Sequence, residues 1–237
     1  MLSSSFVSVQ EVTKEYGRLT AIRNLSLQLE QNKYYLLIGR NGAGKSTLLS
    51  MLSGLSQPSV GKIFIDGKDP SHVENKNILS VISHDSFLYS NLTAQENLIY
   101  YAKMYSINNM ENRVKDVLKL VNLSTRRLEP VKNFSRGMTQ RLTIARSLLH
   151  QPKILLLDEP FTGLDQAAIR DVSIILKNLS EQGTTLLLTT HDIHLGVSLT
   201  DEYIVLENQT VAETGVCSSN TAEELNRKYF MTAGEVA

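Results

Sequence analysis

Apolar and polar residues alternate over 6–12 and again over 25–29, which predicts two half-buried strands. Residues 34–38 form an unbroken apolar run closed by Gly39, the pattern of a strand buried on both faces. Helical spacing follows over 46–53. Ile63 and Ile65 alternate between the glycines of 61–67, and 78–83 is a further strand. The middle of the chain changes character. A helix is predicted over 93–104, with Thr93 as N-cap and Glu96 closing a capping box. Another spans 111–121, where Val114, Val117, Leu118 and Val121 share one face. A long helix is predicted over 135–150, an apolar strand ending in acids over 153–158, and a helix over 166–179. Strands at 184–190 and 202–206 and a helix at 221–230 complete the series.

Buried runs alternating with helices indicate an α/β protein with a mainly parallel sheet. One domain of 237 residues is expected, with a nucleotide-binding core over 1–85 and 133–215. A helical subdomain is inserted at 86–132, and a helical tail occupies 216–237.

Composition narrows this picture only slightly. Lys and Arg total 24, as do Asp and Glu, so charge gives no argument for nucleic acid or an anionic membrane surface. The single cysteine, Cys217, rules out an internal disulfide and has no His or Cys beside it for a metal. The first residues lack a signal-peptide pattern, and runs such as 154–157 and 186–188 are too short to span a bilayer.

Two motifs bring in chemistry. Gly39-Arg40-Asn41-Gly42-Ala43-Gly44-Lys45-Ser46, followed by Thr47, matches G-x-x-x-x-G-K-[ST] between a predicted strand and a predicted helix. Its glycines let backbone N–H groups wrap around phosphates, Lys45 supplies a cation near the β- and γ-phosphates, and Ser46 offers a hydroxyl to Mg²⁺. Leu155-Leu156-Leu157-Asp158-Glu159-Pro160 sets two acids at a strand end. Asp158 is expected to orient Mg²⁺ and Glu159 to act as general base toward the attacking water. A nucleotide and Mg²⁺ are the expected ligands of this P-loop arrangement; the motif alone does not say which nucleotide.

Asn133-Phe134-Ser135-Arg136-Gly137-Met138-Thr139-Gln140-Arg141 resembles the signature of the ATP-binding cassette family, usually written L-S-G-G-Q. Ser135 and Gly137 match; Phe134, Arg136 and Met138 depart. The resemblance covers about 6–206. It implies an antiparallel N-terminal β-subdomain beside the parallel core, and a homodimer enclosing two ATP molecules. In that dimer Ser135, Arg136, Gly137 and Met138 meet the partner's nucleotide. It further implies that Asp165, in Phe161-Thr162-Gly163-Leu164-Asp165, signals across the dimer, that His191 is the switch histidine at the γ-phosphate, and that Tyr16 stacks on adenine. His84 stands where the family carries glutamine, placing an imidazole nitrogen where an amide oxygen would face Mg²⁺.

His84, the Phe-Ser-Arg-Gly-Met signature and Asp-Glu-Pro-Phe-Thr-Gly-Leu-Asp are similar to the export-type branch, above all to the ATP-binding subunits of cytochrome c maturation systems, described as haem exporters. Drug and polysaccharide exporters share parts of the pattern. The implied setting is the inner face of the cell membrane, peripheral and cytoplasmic, bound to an integral membrane permease. Two other readings fit less well. Soluble members acting on ribosomes or DNA usually carry two cassettes, coiled-coil insertions or zinc modules, and no nucleic acid is expected here. A nucleotide kinase would not need the signature, His191 or the Asp158–Glu159 pair.

Overall fold

The computed structural model describes residues 5–83 and 85–230. Two sheets organise the chain. β1 (Val7–Tyr16) pairs antiparallel with both β2 (Leu19–Leu29) and β4 (Val60–Ile65), giving a three-stranded sheet in the order β2-β1-β4. The second sheet has six strands in the order β5-β6-β7-β3-β8-β9. Its members are β3 (Tyr34–Gly39), β5 (Leu79–Ile82), β6 (Ile154–Asp158), β7 (Thr185–Thr189), β8 (Glu202–Glu207) and β9 (Thr210–Val216). All neighbours are parallel except the β8–β9 hairpin.

The continuous apolar runs have the burial they predict. Every residue of β3 is buried, as are Ile154–Leu157 of β6 and all of β7. Each fully buried Leu or Ile contributes roughly 1.5–3 kcal/mol relative to exposure. That rigid sheet is why the loops at its strand ends are held in place. Two apolar clusters cover its faces. One carries β1, β2 and α1 (Lys45–Leu52); the other carries the remaining helices.

Among those helices, α2 (Ala94–Met104) and α3 (Met110–Leu120) form the insertion. The predicted capping box is present. Thr93 Oγ1 accepts from the N–H of Glu96 at 3.2 Å, and Glu96 Oε2 accepts from the N–H of Thr93 at 2.8 Å. α4 (Arg136–Ser147) starts at the Ser135 cap and α5 (Gln166–Glu181) at the Asp165 cap. α6 (Ile193–Leu199) and the edge strand β9 are additions that the sequence pattern did not predict. The C-terminal helix is shorter than expected. α7 (Thr221–Leu225) runs into one wide π-helical turn, Asn226–Phe230. Among the described residues no helix is long and apolar enough to cross a membrane.

Candidate active site

The loop after β3 and the ends of β6 and β7 open on one side of the parallel sheet, at the carboxyl ends of its strands. There they bound a cleft of about 500 Å³. Its floor is Asn41, Gly42, Gly44, Lys45, Ser46 and Thr47; Asp158, Glu159 and His191 face them, and Leu19, Thr20 and Ala21 form a wall. Ala43 turns inward to the core, whereas Gly39, Arg40 and Asn41 border a smaller neighbouring cavity. Gly44 has φ +103, and a Cβ there would sit 2.5 Å from Ile22 Cδ1 and 2.7 Å from the Ala21 carbonyl, so only glycine fits.

Lys45 is buried, and its Nζ donates to the carbonyls of Gly39 at 2.7 Å and Arg40 at 3.4 Å. Burial lowers its pKa, against the opposing pull of the Glu159 and Asp158 carboxylates. A partly desolvated cation beside an α-helix start is suited to bind a polyphosphate.

Glu159 has a left-handed backbone, φ +53, which a residue with a side chain adopts only when its surroundings compel it. Thr189 supplies that compulsion. The N–H of Glu159 donates to the Thr189 carbonyl at 3.2 Å and to Thr189 Oγ1 at 3.0 Å, and the same hydroxyl donates to Asp158 Oδ1 at 2.8 Å. One buried threonine thus fixes both acids. Sequence reading missed it, because only the β6–β7 register pairs Asp158 with Thr189.

Glu159 Oε2 accepts from the N–H of His191 at 3.2 Å. Oε1 lies 3.3 Å from His191 Nε2 but off the line of a hydrogen bond, so among the described residues it is buried without a partner. Burial pushes the Glu159 carboxyl pKa up, and His191 and Lys45 pull it back. A carboxylate with a raised pKa and one free oxygen is equipped to accept a proton from water. Ser46 and Asp158 give the cleft hard oxygen donors, the donor type Mg²⁺ takes alongside phosphate and water.

The remaining predicted residues lie elsewhere. Ser135 Oγ accepts from the N–H of Met138 at 3.2 Å as the cap of α4, and a Cβ on Gly137 would meet Ala168 Cβ at 2.6 Å. Arg136 Nη1 reaches the Gly163 carbonyl at 3.4 Å, tying the signature to the loop that ends in Asp165; Asp165 Oδ1 caps α5 through the N–H of Ala168 at 2.8 Å. None of these residues lines the cleft. Tyr16 is half exposed beneath Lys14, next to the Leu19 end of the wall but not part of the cleft lining. His84 lies outside the described residues.

A phosphate loop at a strand–helix junction, facing an acidic pair and a histidine, defines a P-loop nucleoside-triphosphatase. The family model described as ABC transporter matches residues 22–162, and the chain belongs to that family of ATPases. It is 34% identical over 220 residues to the lantibiotic transport ATP-binding protein SrtF of Streptococcus pyogenes, covering 92% of this chain and 95% of that one. It is 35% identical to the bacitracin transport ATP-binding protein BcrA of Bacillus licheniformis, covering 96% of this chain and 74% of that one. Among solved structures it resembles a dimeric ATP-binding cassette in a post-hydrolysis state bound to ADP and Pi. That match has a TM-score of 0.78 and 26% identity over 90% of this chain and 99% of that chain.

Proposed function

We propose that this chain is the ATP-hydrolysing subunit of a membrane exporter, working as a homodimer on the cytoplasmic face of the membrane. The observation that carries the reading is a division of labour. Lys45, Ser46, Asp158, Glu159 and His191 share one cleft, while Ser135–Met138 caps a helix outside it. A second copy of the chain supplies the missing half: its Ser135 hydroxyl and the N–H groups of its α4 start close over the γ-phosphate.

In this mechanism the loop 39–47 holds the phosphates and Lys45 balances their charge. Ser46 and Asp158 would hold Mg²⁺, which would supply further positive charge against the phosphates. Glu159 takes a proton from water as the water oxygen bonds to the γ-phosphorus and the bond to the ADP oxygen breaks. His191 holds Glu159 and faces the γ-phosphate; Tyr16 stacks on adenine. Asp165, tied to the signature through Arg136 and Gly163, carries the state of one site to the other.

Exposed aromatics Phe87 and Tyr89, on the segment leading into α2, mark the surface for the permease. Relatives named for lantibiotic and bacitracin transport favour a peptide-antibiotic exporter. A cytochrome c maturation or haem-related role is the second reading, supported by the Phe134-to-Met138 signature.

The test is to trap tagged Glu159→Gln protein with ATP in native membranes and identify what co-purifies. A polytopic membrane protein supports the exporter reading. Ribosomal or DNA-repair proteins with no membrane partner overturn it.

A further inference from the structure

Phe230 and His191 border one small cavity of about 240 Å³, together with Gly39, Arg40 and Asn41 of the phosphate loop. The turn that brings Phe230 there hangs on one carboxylate. Glu213, on β9, accepts from Tyr203 Oη at 2.7 Å through Oε1, and from Tyr229 Oη at 2.7 Å and Lys228 Nζ through Oε2. Tyr203 reaches it from β8 because Gly215, its ladder partner, has no side chain. A Cβ at Gly215 would sit 2.6 Å from the Tyr203 hydroxyl.

Three donors on one carboxylate hold it ionised, with a pKa lowered to about 2. A second tie joins Asn226 Nδ2 to His194 Nε2 at 3.4 Å, on the helix whose N-cap, Asp192, directly follows His191. The segment 226–230 is therefore fastened at one end to β9 and at the other to α6.

The histidine itself is lightly held. Its side chain is 65% exposed, and among the described residues Nε2 has on the cleft side only the off-line approach to Glu159. Phe230, half-buried at the edge of the larger apolar cluster, lines the small cavity that His191 also borders, a cavity that Glu159 does not line.

We propose that the Glu213 bracket seats Phe230 against the loop after β7 and that Phe230 is a positioning residue for hydrolysis, confining His191 to the side of its loop that faces Glu159. The inference rests on reading Glu159 and His191 as the hydrolytic pair. Phe230 itself touches no reacting atom. Its loss leaves nucleotide binding intact and lets the imidazole spread over more rotamers, which lowers the fraction of molecules ready to react.

The experiment compares Phe230→Ala, Phe230→Leu and Glu213→Gln in the full chain, below their melting temperatures. Phe230→Ala is also built on His191→Ala, with single-turnover rates keeping slow variants measurable. Expected are a fall in kcat on the order of tenfold for Phe230→Ala, KM for ATP within about twofold, substantial rescue by Phe230→Leu, and a smaller fall for Glu213→Gln. In the His191→Ala background Phe230→Ala adds nothing, because the two act through one side chain. A wild-type kcat for Phe230→Ala overturns the inference, and so does a loss that is undiminished on top of His191→Ala. Wild-type turnover by His191→Ala alone instead overturns the reading on which it rests.

Discussion

The backbone N–H of His191 donates to one oxygen of Glu159 while its Nε2 stands 3.3 Å from the other, so a single residue brackets the buried carboxylate. Burial raises the Glu159 pKa, and the nearby His191 lowers it again. A general base works only when ionised, so the acid limb of the kcat–pH profile should lie above the ordinary glutamate range. Removing His191 removes a stabiliser of the charged form, and His191→Ala should move that limb to still higher pH. Steady-state rates across pH 4–9 check both statements; a limb at the ordinary value in both proteins contradicts them.

Thr189 is fully buried and bonds both acids through one hydroxyl. Thr189→Val keeps the shape and deletes those bonds. It should cost about 1 kcal/mol of stability, since the Glu159 N–H retains the Thr189 carbonyl. Turnover should fall further than that loss implies, because Glu159 is held in a left-handed conformation by the lost contact. Denaturant melts and kcat on one preparation separate the two effects.

Gly44 combines a left-handed φ with a backbone carbonyl and Ile22 packed where a Cβ would go. Gly44→Ala should destabilise the loop by about 1–3 kcal/mol and abolish ATP binding measured by a fluorescent nucleotide. Gly42→Ala, with positive φ and open space around it, should be milder.

The phosphate loop, the acidic strand end and the Thr93 cap were legible because each is a contiguous pattern whose physics is local. The mainly parallel sheet, though not its strand order, followed from buried runs alternating with helices. What sequence reading could not reach depends on register and long-range approach. Thr189 meets Asp158 only through the β6–β7 pairing, and Thr20 and Ala21 form a cleft wall from a separate sheet. β9 was missed because its two valines, Val211 and Val216, are five residues apart and do not alternate, and those between them are small, polar or acidic, as an exposed edge strand tolerates. α6 is short and contains Gly196, whose missing side chain makes room for Leu36, so helical periodicity has little length in which to show. Phe230 carries no motif; only the Glu213 bracket reveals where it goes.

In the proposed mechanism one chain holds half of each ATP site, and the most direct test is the mass of Glu159→Gln protein in solution with and without ATP. ATP should convert it to a dimer holding one nucleotide per chain, with turnover reduced roughly 10²-fold or more, and Ser135→Arg should stay monomeric while still binding ATP. A Glu159→Gln protein that binds ATP as a monomer, or hydrolyses it at the wild-type rate, would contradict the account.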